Sequence, residues 1–321
     1  MKGVLAWLDG QVDRAKPRLA SDVAECIACR VLIPADRDCP VWLGDPKDGP
    51  ADPADWLVMQ NGILDLAALL AGKPKPLRAR TPLWFSTNSL PYAYNPSARC
   101  DRWYEFLDQV FDGDEERVDL LGEWFGLCLT TDTRYHALIM LEGPRRSGKG
   151  TTLRTLRRVV GEHNCVDPRL TTLGELFGMS ALVGKTCAIC PDAHLGSGDK
   201  ALAVLEIIKS ITGEDSLEIH RKHLPSIPNA RLKVRFTLGV NELPRFGDNA
   251  NALMSRLLII PYGNCYEGCE DRDLEAKLAA ETAGIFNWAV EGLKRLRARG
   301  QFTKPKASEQ VAADFERLTS P

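Results

Sequence analysis

The residues with the clearest chemical meaning form a glycine-rich segment that leads into a lysine. The segment follows an apolar, strand-like run, opens a helical stretch and fits the pattern G-x-x-x-x-G-K. In such a loop the backbone amides hold a triphosphate and the lysine reaches the terminal phosphates. The sequence therefore predicts a nucleotide site for ATP with Mg²⁺. The residues expected to bind the nucleotide are Gly143, Pro144, Arg145, Arg146, Ser147, Gly148, Lys149, Gly150 and Thr151.

The position after Lys149 departs from the usual pattern, because Gly150 replaces the Ser or Thr that normally binds magnesium. Thr151 follows one place later, so we expect magnesium to be held by Thr151 or largely through water. A P-loop motor also needs an acid at the end of a neighbouring strand to hold magnesium. Asp192 ends the apolar run that begins at Thr186, and it is predicted to be this second magnesium ligand.

The base that activates water is harder to assign. A second acid is expected beside Asp192, but that position is Ala193. Either Asp192 serves both roles or the base comes from elsewhere, with Glu214 and Asp215 as alternatives. Asn241 ends the following strand-like run, where its amide is predicted to orient the attacking water or to report the γ-phosphate.

An arginine completes the predicted catalytic set of Lys149, Asp192, Asn241 and Arg256. Arg256 lies just before the last predicted strand. In a ring, an arginine in this position can enter the neighbouring subunit's site and stabilise transition-state charge. Arg245 is the alternative residue for this role.

A segment between the second and third predicted strands has the pattern of a hairpin with a basic tip. Apolar residues alternate around Leu217 and Ile219, and a proline follows the basic residues. In the pore of a ring, such a tip would hold the phosphates of single-stranded DNA. The residues predicted to contact DNA are His220, Arg221, Lys222 and His223, and further charge comes from Arg231, Lys233 and Arg235.

The elements that position these residues follow an alternating strand and helix pattern from residue 137 onward. Short apolar runs alternate with amphipathic stretches, which is typical of a parallel α/β sheet. The predicted strands are Ala137–Leu141, Thr186–Cys190, Val234–Val240 and Leu257–Pro261, and the predicted helices span about 149–160, 199–211 and 273–299.

The chain before residue 130 has a different organisation. Residues 1–30 predict a helix, residues 34–55 predict a loop, and Asn61-Gly62 between apolar runs predicts a hairpin. Residues 101–129 predict two helices that separate at Gly113-Asp114. The predicted domains are an amino-terminal helix and linker (1–55), a helical domain (56–130), the motor (131–303) and a polar tail without a clear element (304–321).

Composition places this chain among ordinary globular proteins. It has 321 residues, of which 44% are hydrophobic, and a net charge of −2, so contact with DNA would require a local basic surface. No apolar run reaches the length of a transmembrane helix, and an early acid excludes a signal peptide, so a bacterial host's cytoplasm is the expected location. Ten cysteines include two C-x-x-C pairs, which we interpret as free thiols rather than zinc ligands.

Several motifs in order resemble the carboxyl-terminal helicase part of phage and plasmid primases. The loop GPRRSGKGT, the GED…HRK segment, VNELPRF and the following Arg256 carry this resemblance, and NGILDL, LPYAYNP and EWFG extend it upstream to about residue 55. These proteins are related to the poxvirus-type helicase of superfamily 3. The resemblance implies an AAA+ P-loop NTPase core with a parallel sheet, preceded by a mainly helical amino-terminal domain.

The same resemblance implies the activity and the partners. It implies a ring homo-oligomer, such as a hexamer, that moves 3′ to 5′ on single-stranded DNA and replicates a mobile element together with a primase or replication initiator. No primase domain precedes residue 55, so primer synthesis is not expected, and family members usually continue into a further DNA-binding domain. The alternatives are an AAA+ NTP-binding module with an assembly or defence role, and a P-loop nucleotide kinase, although no arginine-rich lid insertion is visible.

Overall fold

The computed structural model describes residues 16–30, 39–45, 47–50, 52–193, 199–242, 253 and 255–319. The chain forms two compact units, residues 1–41 and 42–321. Helix α1 (Pro17–Arg30) belongs to the first unit and forms the later part of the helix predicted over residues 1–30. Residues 1–15 lie outside the described part of the chain.

Short strands dominate the beginning of the second unit. The hairpin predicted at Asn61-Gly62 is confirmed, because the strands on either side of it pair in antiparallel fashion. Gly62 packs so closely that an added Cβ would lie 2.5 Å from the Arg78 carbonyl oxygen. A third strand extends the sheet. The elements are β1 (Val41–Trp42), β2 (Trp56–Met59), β3 (Gly62–Asp65), α2 (Leu66–Leu70), β4 (Leu77–Arg78) and β5 (Trp84–Phe85).

Two helices follow where the sequence predicts them, α3 (Asp101–Phe111) and α4 (Glu115–Cys128). Helix α3 ends at Asp112, which adopts a left-handed conformation, and the Asp114 carboxylate begins α4 by accepting a hydrogen bond from the Arg117 amide. Their tryptophan and phenylalanine residues are buried. The break predicted at Gly113-Asp114 is therefore confirmed.

A five-stranded parallel sheet forms the centre of the second unit. The alternation of apolar runs predicted four of its strands, whereas the short strand Cys165–Val166 was not predicted. The strands are β6 (Leu138–Glu142), β7 (Cys165–Val166), β8 (Cys187–Cys190), β11 (Arg235–Val240) and β12 (Leu257–Pro261). Their order across the sheet is β12-β6-β11-β8-β7, and every pair is parallel. The carboxyl ends of β6, β8 and β11 therefore meet at one edge of the sheet.

The remaining elements surround this sheet or project from it. They are α5 (Lys149–Val160), α6 (Asp199–Thr212), β9 (Leu217–Arg221), β10 (Leu224–Ala230), α7 (Leu274–Ala280), α8 (Thr282–Arg299) and α9 (Lys306–Thr319). Two expectations need correction. The helix predicted over 273–299 divides at Glu281, whose carboxylate accepts hydrogen bonds from the first amides of α3. The tail predicted to lack a clear element forms α9, which contacts β12.

Both faces of the sheet are covered, as a parallel sheet requires. Alternate residues of each strand point to opposite faces, so that Ile139 and Leu141 pack in one core and Leu138 and Met140 in another. Helices α3, α4, α5 and α8 cover the first face, and α6 lies on the second. Among the described helices, none combines the length and the apolar character that a membrane-spanning helix needs.

Candidate nucleotide site

The glycine-rich loop joins β6 to α5, so it has the strand–loop–helix context that the motif requires. Gly143 adopts a φ of +147°, and a Cβ at this position would lie 2.1 Å from the Tyr262 carbonyl oxygen. Gly148 adopts a φ of +97°, and a Cβ there would lie 3.0 Å from Val110 Cγ2. Each glycine therefore combines a left-handed backbone with a close approach, which a side chain would obstruct.

Lys149 is the first residue of α5 and is only 7% exposed. Its ammonium donates hydrogen bonds to the carbonyl oxygens of Gly143 and Pro144, each at 2.7 Å, and to Ser147 Oγ at 3.2 Å. Burial lowers the pKa of Lys149, and the nearby charge of Glu142 partly opposes this shift. The loop thus holds a positive charge among oxygen atoms that a phosphate oxygen can replace as hydrogen-bond acceptors.

Arg154 is a site residue that the sequence reasoning missed. Its Nη2 atom donates to Thr151 Oγ1 at 3.3 Å, and its Nη1 atom would lie 3.1 Å from a Cβ added at Gly150. The Glu275 carboxylate holds the guanidinium by accepting from its Nε at 2.5 Å. The glycine that replaces the usual Ser or Thr therefore leaves room for an arginine. An arginine five residues beyond the lysine was the only signal in the sequence.

These residues line a cavity of about 520 Å³ at the carboxyl edge of the sheet. The loop from Arg145 to Thr151 forms one side, and Pro191 and Asn241 lie at the ends of the neighbouring strands β8 and β11. Helix α3 and the segment from Tyr266 to Glu275 close the remaining sides. Crevices at the carboxyl ends of parallel strands are the usual ligand sites of such sheets.

The structure brings Asn241 together with the loop, because β11 pairs in parallel with β6 and places Val240 opposite Glu142. Asp192 is exposed and directly follows Pro191, so it lies next to residues that line the cavity. The Ala193 amide donates to the Gly239 carbonyl oxygen at 2.8 Å, which aligns the end of β8 with that of β11.

Glu214, one alternative for the water-activating base, lies at the opposite edge of the sheet. Its carboxylate accepts a hydrogen bond from the Thr133 hydroxyl. The backbone carbonyl oxygen of the neighbouring Asp132 accepts a hydrogen bond from Arg235, which begins β11. Asp215 follows Glu214 and does not line the cavity. The acids that do line it were not predicted: they are Glu270, Asp271 and Glu275, each of which contacts an arginine.

Arg256 lies away from the cavity and caps a helix. Its Nη1 atom donates to the Lys209 carbonyl oxygen at 2.6 Å and to Thr212 Oγ1 at 3.1 Å, at the carboxyl end of α6. A cation at this end of a helix interacts favourably with the last carbonyl groups and with the helix dipole. Arg245, the alternative arginine, lies outside the described residues.

The predicted basic hairpin is formed by β9 and β10, which pair in antiparallel fashion. His220, Lys222 and His223 are exposed, whereas the Arg221 guanidinium bridges the hairpin by donating to the Pro225 carbonyl oxygen. The structure contradicts one expectation near the hairpin. Arg235 is 2% exposed and donates to backbone carbonyl oxygens, so it adds no charge to the surface.

Cys187 and Cys190 are buried and form no disulfide. Within the described ranges, no group of three or more His, Cys, Asp or Glu side chains is arranged to hold a metal ion.

Comparisons with known proteins match two parts of the chain. Residues 21–112 match a family described as D5 N terminal like, and residues 141–256 match a family of unknown function, DUF5906. The second match extends from β6 to Arg256 and so contains the loop, Asn241 and the hairpin. No curated protein sequence matches the chain.

Solved structures share the fold. The apo structure of the NrS-1 C terminal region is 15% identical, with a TM-score of 0.54 over 71% of this chain and 56% of that one. An A form apo structure of the same region has a TM-score of 0.52, again at 15% identity, over 71% of this chain and 55% of that one. The chain thus spans about half the length of the structures it matches.

Proposed function

Because the chain is related to the phage and plasmid primase–helicase family, we propose that it is an ATP-hydrolysing DNA helicase or translocase with a role in replication. The observation that carries this proposal is the convergence of Lys149, Asn241 and the glycine-rich loop on one cavity at the carboxyl edge of a parallel sheet. We further propose that the core is of the AAA+ type and that the active form is a ring.

The loop suits a triphosphate by its geometry and by its charge. Gly143 and Gly148 adopt positive φ values that shape the loop, and the cations that line the cavity include Arg102, Arg145, Arg146, Lys149 and Arg154. In this proposal, Lys149 exchanges its hydrogen bonds with loop carbonyls for bonds with phosphate oxygens. It thereby neutralises charge that would resist nucleophilic attack.

Magnesium would be held by Asp192 and Thr151, and it would supply charge neutralisation at the phosphates. The donor set fits this ion, because magnesium typically binds one or two protein oxygens, substrate phosphates and several waters. Asn241 would orient the attacking water from the end of β11. Arg256 is the candidate for the arginine that acts in trans, although in the single chain it caps α6.

The hairpin is the proposed contact with single-stranded DNA, through His220, Lys222 and His223. The two sites lie at opposite edges of the sheet, and β11 connects them, since Asn241 follows its last residue and Arg235 is its first. Helix α6 also runs from the end of β8 to the base of the hairpin. These two elements provide the physical connection between nucleotide and DNA.

A second candidate function is an ATP-dependent assembly module without hydrolysis. One observation favours it: the cavity acids Glu270, Asp271 and Glu275 all contact arginines, and Ala193 stands where the second acid is expected. A carboxylate paired with arginine is a weak base.

The deciding experiment is ATP hydrolysis by the full chain, measured with and without single-stranded DNA. We expect DNA to stimulate turnover and Lys149→Ala to abolish it, whereas Lys73→Ala, which removes an exposed lysine far from the loop in sequence, serves as the charge-matched control. Turnover that ignores DNA would contradict the motor, and ATP binding without turnover would favour the assembly module.

A separate measurement tests the hairpin. For a single strand, the slope of log K against log salt becomes shallower by about 0.7 for each phosphate that the protein no longer neutralises. We therefore expect Lys222→Ala to reduce both this slope and the stimulation by DNA, while basal turnover persists. An unchanged slope would show that the hairpin tip does not bind the strand.

A further inference from the structure

The lining of the nucleotide cavity has two chemically different parts. The cationic part comes from the loop and Arg154, and it suits phosphates. The second part comes from α3, which supplies the apolar side chains of Phe106 and Val110 and the carboxamide of Gln109. A volume of about 520 Å³ is in the range of sites that enclose whole cofactors, so the cavity has room for a nucleoside beside the phosphates.

Helix α3, which supplies this second part of the lining, lies directly against the loop. A Cβ placed on Gly148 would be 3.0 Å from Val110 Cγ2 and 3.3 Å from Phe106 Cζ. Phe106 is itself fixed, since it stacks on Trp103 with ring centroids 5.3 Å apart. The position of α3 relative to the phosphate loop is therefore set by direct packing.

Tyr266 ties the same helix to the loop a second time. Its amide donates to the Arg146 carbonyl oxygen at 2.9 Å, and its hydroxyl donates to the backbone carbonyl of Gln109. Asn264 adds a contact by donating to the Asp112 carboxylate at 2.9 Å. The backbone of Gln109 is thus held at a defined distance from the phosphate-binding atoms.

The side chain of Gln109 is exposed and lines the cavity. In the part of the chain that the structure describes, its carboxamide makes no hydrogen bond. A carboxamide carries a donor and an acceptor side by side, and it pairs in bidentate fashion with N6 and N7 of adenine. Guanine presents two acceptors, O6 and N7, at the same edge, so a carboxamide cannot match it there.

We propose that α3 forms the base-binding wall of the nucleotide site and that Gln109 selects adenine over guanine. This inference rests on the proposed function, because it requires the loop to bind a triphosphate. It also gives the amino-terminal segment, which matches the D5 N terminal like family, a direct part in nucleotide recognition.

The test is calorimetric titration of the full chain with ATP, GTP and inorganic tripolyphosphate, in the presence of magnesium. Gln109→Ala is expected to weaken ATP about tenfold, the effect of removing one good bidentate pair, and to leave tripolyphosphate unchanged. Gln109→Glu should weaken ATP binding as well, since a carboxylate accepts from N6 of adenine but cannot donate to N7. Asp108→Asn, on the same helix but outside the cavity, is the matched control.

The outcomes separate this inference from the proposed function. If wild-type protein binds neither ATP nor tripolyphosphate, both are wrong. If ATP binds but Gln109→Ala changes nothing, or if the wild type binds ATP and GTP equally, only the role of Gln109 is wrong. Equal losses of affinity for ATP and tripolyphosphate would show that Gln109 acts on the loop rather than on the base, which also overturns the inference.

Discussion

The crossing of α4 and α8 depends on glycines, and Gly126→Ala is the sharpest test of this packing. A Cβ at Gly126 would lie 2.2 Å from the Ala289 carbonyl oxygen and 2.7 Å from the Leu293 backbone nitrogen. An ordinary C···O contact is about 3.3 Å, so the two helices must separate by about 1 Å. Gly292 shows the same relation from the other helix, with its added Cβ 2.2 Å from the Gly122 carbonyl oxygen.

The expected cost follows from this displacement. Overpacking lowers the free energy of unfolding by about 1–3 kcal/mol. A gap of up to 1 Å also removes a quarter to a half of the attractive energy of each dispersion contact along the crossing. Alanine recovers at most about 1 kcal/mol through its higher helix propensity. We therefore expect the free energy of unfolding to fall by about 1–3 kcal/mol.

Urea unfolding followed by tryptophan fluorescence measures this change. The matched control is Gly174→Ala, where the added Cβ meets only Ala203 Cβ at 3.6 Å. The control should stay within about 0.5 kcal/mol of wild type. If Gly126→Ala also stays within that limit, the close helix crossing does not exist and the reasoning fails.

Three further predictions concern the sheet, the loop and the acid stability. Trp124→Phe removes a buried hydrogen bond of 2.9 Å to Thr237 on β11, so it should lower the free energy of unfolding by about 1–3 kcal/mol in the same urea assay. Burial lowers the pKa of Lys149, so this side chain loses its charge as the pH rises, before the pH reaches the ordinary lysine pKa. Tripolyphosphate binding should weaken over the same rise in pH, and Lys149→Arg should remove this alkaline loss in calorimetric titrations. Although burial raises the pKa of Asp132, hydrogen bonds from Arg134 lower it overall. Its contribution to stability is therefore present above the unfolded pKa and lost as the pH falls through the folded one, so Asp132→Asn should flatten the acid limb of a pH-dependent unfolding curve.

The sequence was sufficient for features that depend on local patterns. The strand–loop–helix around Lys149 follows from an apolar run, two glycines and an amphipathic stretch, all within a short window. The hairpins at Asn61-Gly62 and around Lys222 follow from turn residues between alternating apolar positions. The parallel sheet follows from strand-like runs separated by helices.

Features that depend on tertiary contacts could not be predicted in this way. The pattern from residue 273 to 299 stays amphipathic, but Glu281 breaks the helix because its carboxylate caps α3, far away in the sequence. Arg235 looks like a surface cation in the sequence, whereas the fold buries it against the backbone of Thr186. Nothing near Gln109 in the sequence indicates that α3 meets the glycine-rich loop.

The departure at Gly150 shows how a local motif and a distant contact depend on each other. A serine or threonine there would bring its Cβ within 3.1 Å of Arg154 Nη1, and Arg154 is held in turn by Glu275. The missing hydroxyl and the added guanidinium are therefore two parts of one arrangement. The loop lacks a hydroxyl oxygen that could bind magnesium at position 150, and the space beside this glycine accommodates the fixed positive charge of Arg154. Thr151, whose hydroxyl accepts from that guanidinium, is then the side chain at which the arginine and the proposed magnesium site meet.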